Sequence, residues 1–123
     1  MKKKRPTKDQ YLLDVAFTVA KRATCPDLHV GCVIATEDGH ILATGYNGVQ
    51  RGSKHCKEKD GKCLENGPLH RTIHAEVNAV CQAARVGTRL YGGIAYVTVM
   101  PCKKCASILF QAGIIKTITP ESL

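Results

Sequence analysis

Between residues 7 and 23 apolar side chains recur at helical spacing, with Leu12, Val15, Ala16, Val19 and Ala20 on one face. Thr7 followed three residues later by Gln10 predicts a capping box at the start of this helix, which should run from Thr7 to Ala23. The pattern then changes to branched, closely spaced runs, "HVGCVIAT" (29–36) and "HILATGY" (40–46), on either side of "EDG". These predict two antiparallel strands joined as a hairpin. Helical spacing returns in "HAEVNAVCQAARVG" (74–87), with Gly87 placed to close the helix at C′. "GIAYVTVM" (93–100) predicts a buried strand. "PCKKCASILFQAG" (101–113) predicts a third helix between Pro101 and Gly113, and "IIKTIT" (114–119) a last strand.

The predicted order is α-β-β-α-β-α-β. Strands joined through helices should run parallel, so a hairpin leading into βαβ units gives a mixed sheet with helices on its faces. The periodic pattern fails in one place. From Asn47 to Ile73 the chain is Gly, Lys and polar residues without a repeat, and so long a loop inside a compact domain needs a reason.

At 123 residues the chain has room for one domain, 7–123, behind a disordered basic tail, 1–6. No stretch approaches the ~18–20 apolar residues of a membrane span. "MKKKRPTKDQ" has charge but no apolar run behind it, so it does not read as a secretory signal. The net charge of +8 suits a polyanion or a phosphorylated small molecule. A basic tail without interleaved aromatic residues is a weak nucleic-acid signal, so no nucleic-acid partner is expected. Seven cysteines, an odd number, cannot form a complete disulfide framework. Metal binding or reduced thiols are expected instead, and the cytoplasm as the compartment.

Cys102 and Cys105 form a C-x-x-C at the start of the third helix. Such a pair reads as a redox couple, half of a zinc site, or chance. A helix N-terminus lowers thiol pKa, which serves redox and metal chemistry alike. The redox reading expects the pair after the first strand of a thioredoxin-like order; here it follows the third strand, and H-x-E at His74–Glu76 opens the preceding helix. His74, Cys102 and Cys105 would give tetrahedral zinc three protein ligands and leave one position for water, the composition of a catalytic site. Glu76 heads a row of Ala79, Val80 and Ala83. An acid in the first turn opposes the macrodipole, which is one sufficient explanation. Beside a zinc whose charge two thiolates cancel, it gains another, as the base that takes a proton from the water.

His74-Ala75-Glu76 together with Pro101-Cys102-Lys103-Lys104-Cys105 resembles the H-x-E…P-C-x-x-C signature of the zinc-dependent cytidine and deoxycytidylate deaminases. "TGYNG", "RTIHAEVNAV" and "YVTVMPC" are similar to the deoxycytidylate (dCMP) deaminases in particular, and the likeness runs from about Tyr11 to Ile118. The resemblance implies a three-layer αβα, cytidine deaminase-like fold around a mixed five-stranded sheet. It implies hydrolytic deamination of dCMP to dUMP and ammonia by a zinc-activated water, supplying dUMP for thymidylate synthesis. Glu76 would carry the proton to N3 and then toward the departing amine. Substrate contacts are implied for Asn47 (deoxyribose), Ala75 and Arg85 (phosphate). Without the resemblance, Asn47 reads as an Asn-Gly turn and Arg85 as a cation late in a helix.

Some relatives carry a second, structural zinc on cysteines matching Cys25 and Cys56. Cys63 and His70 are inferred as its other ligands, with His55 as a rival; the alternative is that these are unpaired thiols and surface histidines. Cys32 and Cys81 read as ordinary buried cysteines. The resemblance further implies a homo-oligomer, a hexamer, with dCTP and dTTP effectors and Mg accompanying a nucleotide effector. That regulation stays open for a chain ending "TPESL", and "NGVQRG" departs from the sequence common after "GYNG", with Arg51 as a substitute contact. Two other readings stand beside this one. The same chemistry could act on dCTP, cytidine or a tRNA adenosine, or the chain could be a zinc-stapled nucleic-acid-binding module in which Glu76 is idle.

Overall fold

A strand buried along its whole length must be covered on both faces. β1 (Gly31–Ala35) and β3 (Ile94–Val97) are two such strands. In the computed structural model, which describes residues 4–25, 28–53 and 72–123, their alternate residues face two separate cores. Val33, Ala35, Ile94 and Tyr96 pack with Leu12, Leu13 and Ala16 of α1 (Lys8–Ala20). Cys32, Ile34, Ala95 and Val97 pack with Ala79 and Ala83 of α2 (Ala75–Val86) and Leu109 of α3 (Lys103–Gln111). This is the three-layer αβα architecture that the sequence resemblance implies.

β2 (Ile41–Tyr46) and β4 (Lys116–Ile118) complete a sheet of order β2-β1-β3-β4. β1 runs antiparallel to both β2 and β3, and β3 runs parallel to β4. The expected parallel pairing therefore appears at β3/β4. β2 and β3 also point the same way, but the crossover through α2 skips over β1, which lies between them. The described residues hold four strands, not the five implied; after β4 the chain turns into a short 3₁₀ helix, Pro120–Ser122.

Thr7 caps α1 as expected, its Oγ1 accepting from Gln10 N at 3.1 Å. Only half of the capping box forms, because the Gln10 side chain turns forward to donate to Asp14 at 2.7 Å. α1 ends at Ala20 and not at Ala23. Its first turn is fastened to the middle of the sheet by the Tyr96 hydroxyl, which donates to Asp9 Oδ1 at 2.8 Å. Burial first, and then this bond, push the Tyr96 hydroxyl well above its usual pKa, so it stays a donor. Gly87 closes α2 at φ 81°, as the sequence predicts. The hairpin turns at "EDG" with Gly39 at φ 98°.

Two glycines set how closely the helices lie on the sheet. A Cβ on Gly31 would stand 2.0 Å from the Ala16 carbonyl oxygen, and one on Gly45 would stand 2.4 Å from both Ala75 O and Ala79 N. Each obstacle is helix backbone, which cannot step aside. Gly45 thus fixes the height of the first turn of α2 above β2. Gly45→Ala should lower stability by about 1–3 kcal/mol or more in urea unfolding, through overpacking. Gly48→Ala, whose nearest neighbour is the Thr24 Oγ1 at 3.2 Å, should cost little because a side chain can give way.

Candidate metal centre

α2 and α3 begin side by side, and each begins at a sulfur- or nitrogen-bearing cap. His74 is the N-cap of α2 and Cys102 that of α3, where its Sγ accepts from Cys105 N at 3.5 Å. Helix starts carry unpaired N–H groups and a positive dipole end, so both helices aim favourable charge at whatever anions collect there. β3 delivers the cysteines. Thr98 still pairs with Gly31, through backbone N to Gly31 O and through Oγ1 accepting from Gly31 N, both at 3.1 Å. The chain then leaves the sheet toward Pro101 and α3.

His74 Nδ1 lies 3.2 Å from Cys105 Sγ and 3.8 Å from Cys102 Sγ. All three ligand atoms fall within 4.8 Å of one another. Around tetrahedral zinc with bonds of about 2.0–2.3 Å, nitrogen and sulfur ligands stand roughly 3.6–3.8 Å apart, so the group fits that ion with small adjustments. The thiols are not equivalent. The Cys105 backbone N–H, with that of Lys104 assisting, draws the Cys102 pKa down. Burial, followed by the charge of Glu76, pushes Cys105 up to about 12.

Glu76 is 3% exposed on the same stripe as Ala79 and Ala83. The capping explanation for this acid does not suffice, because a dipole-opposing carboxylate needs no burial. It faces the ligand sulfurs, and its charge adds to the upward shifts of Cys105 and of Cys32, which lies beneath it on β1 and is raised first by burial. A buried carboxylate is disfavoured unless a positive partner compensates it. The three-ligand group beside it is suited to hold one.

His74, Ala75, Glu76 and Cys102 line a cavity of about 120 Å³, with Leu28, Val30, Val99 and Met100 as apolar walls. Asn47 lines it too, but not as an Asn-Gly turn. Its Oδ1 accepts from Val30 N at 2.8 Å and its Nδ2 donates to Leu28 O at 2.7 Å, so it holds the walls in place and retains one N–H. Arg85 is not brought here. It is exposed on α2, roughly 16 Å along the axis from His74 at helical rise, and lines a separate basin of about 480 Å³ with Arg51 and Gln82. Cys81 lines that basin as well and is exposed, which corrects the expectation of a buried cysteine, whereas Cys32 is fully buried. Cys25 is buried. Cys56, Cys63 and His70, with the rival His55, lie outside the described residues.

Three contributions escaped the sequence reading. Asn78 donates to Tyr46 O at 2.8 Å and Ile73 O at 3.3 Å, binding the start of α2 to the end of β2. Its signal was a polar residue four positions after His74, on the turn that must meet β2. Gly45 carried no signal beyond being a glycine inside a strand. The wall residues Val99 and Met100 read as strand, yet they lie past the last paired residue of β3.

Residues 6–120 match the family described as the cytidine and deoxycytidylate deaminase zinc-binding region. The match takes in the whole metal group and its carboxylate, and the chain belongs to that family. It is 40% identical over 110 residues to the ComE operon protein 2 of Bacillus subtilis, covering 89% of this chain and 57% of that one. It is 33% identical over 123 residues to the deoxycytidylate deaminase of Schizosaccharomyces pombe, covering 93% and 37%. The chain thus spans about half or less of the length of these relatives. Among solved structures, the dCMP deaminase of cyanophage S-TIM5 in complex with dCMP and dUMP superposes with a TM-score of 0.79 at 26% identity, covering 95% of this chain and 83% of that one.

Metal uptake should release protons. Without metal, Cys105 is a thiol at any pH well below about 12, and only a thiolate binds zinc. At neutral pH a pH-stat titration with zinc should record about one or more protons released per ion, and affinity should rise with pH. Uptake with no proton release would show that the sulfurs are not the ligands.

Proposed function

We propose that this chain hydrolyses the exocyclic C–N bond of a cytosine nucleotide, converting dCMP and water to dUMP and ammonia. The observation that carries this reading is Glu76, buried in a cavity it shares with His74 and Cys102. Zinc held by His74, Cys102 and Cys105 would supply Lewis acidity and bring the pKa of a water toward neutrality. Glu76 moves the protons. One carboxylate oxygen accepts a proton from the attacking water and delivers it to cytosine N3; it then carries the second to the amino nitrogen on C4, which leaves as ammonia. Leu28, Val30, Val99 and Met100 give the ring an apolar seat. The remaining N–H of Asn47 is directed at the deoxyribose, and Ala75 borders the base.

A phosphorylated substrate is supported by charge. α3 opens with Lys103 and Lys104, both exposed, and has no acid in its first turn. Two cations on the positive end of a helix are unfavourable for the helix and favourable for an anion near it. In this proposal Lys103, and Arg85 with Arg51 in the neighbouring basin, are the phosphate contacts, while Lys104 lines the cavity that holds Thr72. The S. pombe relative's name and the S-TIM5 complex support dCMP in particular. Reduced Cys32, Cys81, Cys102 and Cys105 suit the cytoplasm. Val99, Met100 and Phe110 stay exposed, which suits a homo-oligomer. We also propose a structural zinc on Cys25, Cys56, Cys63 and His70.

Ammonia release from dCMP should exceed that from dCTP, cytidine and a tRNA adenosine substrate; preference for any of those would move the assignment to it. Glu76→Gln should keep zinc and fold while kcat falls by several orders of magnitude, and retained turnover would remove Glu76 as proton carrier. Metal analysis should give about two zincs per chain, and a value near one would remove the structural site.

A further inference from the structure

Beside His74, Cys102 and Cys105 lies a second cavity, of about 330 Å³, walled by Ile73, Val77 and Ile108 and bordered by Lys104. Thr72 also lines it, and Thr72 is the one described residue with a buried side-chain oxygen that has no hydrogen-bond partner. The residue is 7% exposed. An unpartnered buried hydroxyl is destabilising by the full desolvation of the group, so a hydroxyl kept there calls for a use.

His74 offers that use. The chain enters α2 extended, with His74 at φ −63° and ψ 151°, so side chains two apart project to the same side and Thr72 and His74 both reach this cavity. Nδ1 faces the two sulfurs, and once it binds a metal the ring proton must sit on Nε2, at the other edge of the imidazole. Among the described residues no partner accepts it. Histidines that bind metal almost always donate their second N–H to an oxygen, which fixes the ring and strengthens the ligand. We propose that the Thr72 hydroxyl is that oxygen's anchor: it holds a water in this cavity that accepts from His74 Nε2–H. Thr72 is thereby a positioning residue for the metal ligand, acting from a cavity that Glu76 does not line. The unpartnered Thr72 hydroxyl and the His74 imidazole are two residues apart in sequence, line one cavity and are complementary in kind, one an acceptor and donor and the other a donor. A bridging water needs two to four polar partners, and this pair supplies the minimum.

The proposal rests on the zinc reading above, and the test separates the two. Zinc affinity is measured by competition with a chromophoric chelator for the whole chain, for Thr72→Val, which keeps the shape and removes the hydroxyl, and for Thr72→Ser, which keeps the hydroxyl. Thermal unfolding of each metal-free protein is recorded alongside. Thr72→Val should bind zinc about 10–100-fold more weakly, the usual consequence of losing an outer partner of a ligand. Thr72→Ser should stay near the parent. Metal-free Thr72→Val should melt at or above the parent's temperature, because it loses an unsatisfied hydroxyl. Equal affinity in Thr72→Val overturns the proposal. So does equal loss in both variants, or a loss that tracks a lowered melting temperature. If the parent chain itself takes up no zinc at these residues, the zinc reading falls first.

Discussion

Everything in this protein depends on two helices starting at the same point. A helix start is a concentration of unpaired N–H groups and positive potential, and two placed together would repel and lose hydration unless anions lay between them. The chain supplies a carboxylate in the first turn of α2 and, at the head of α3, two thiols that become anions when a metal displaces their protons. Those groups then need a cation, and His74 completes a set that fits zinc. The arrangement is a balance of charges, each unfavourable alone.

Such convergence requires tight control of position. Gly45 lets the first turn of α2 rest directly on β2, Asn78 ties the same turn to Tyr46 and Ile73, and Thr98 keeps the exit of β3 paired with Gly31. Asn47 then holds the Leu28–Val30 segment as a wall across the cavity. The metal group and Glu76 sit at element ends, and the ends of β2 and β3 and the start of α2 are fixed by backbone or side-chain hydrogen bonds. Gly45 lies against the Ala75 and Ala79 backbone, so a larger residue there would shift the turn that carries Glu76 and follows His74.

Much of this was legible in the sequence, for identifiable reasons. Helices α1, α2 and α3 declare themselves by spacing and by caps such as Thr7 and Gly87, which are local signals. The metal group was readable because H-x-E and C-x-x-C each fix side chains within one helical turn. What stayed hidden depends on contacts between distant segments. Nothing near Gly45 says that a helix backbone will pass over it. The insertion of β1 between β2 and β3 follows from pairing across the sheet, which spacing cannot rank. Arg85 carries a role only through the resemblance; by spacing alone it is a cation late in a helix, and it lines the neighbouring basin. Cys81 was read as buried from its type, yet it lies on the outward side of α2.

His74, Cys102 and Cys105 would hold a metal beside the buried carboxylate of Glu76. The most direct measurement is anomalous diffraction from crystals of the zinc-loaded chain. It should place zinc within bonding distance of His74 Nδ1, Cys102 Sγ and Cys105 Sγ, with a single solvent oxygen in the fourth position, hydrogen-bonded to Glu76. Zinc bound there by a fourth protein side chain, by Glu76 itself, or not at all, would contradict this assignment.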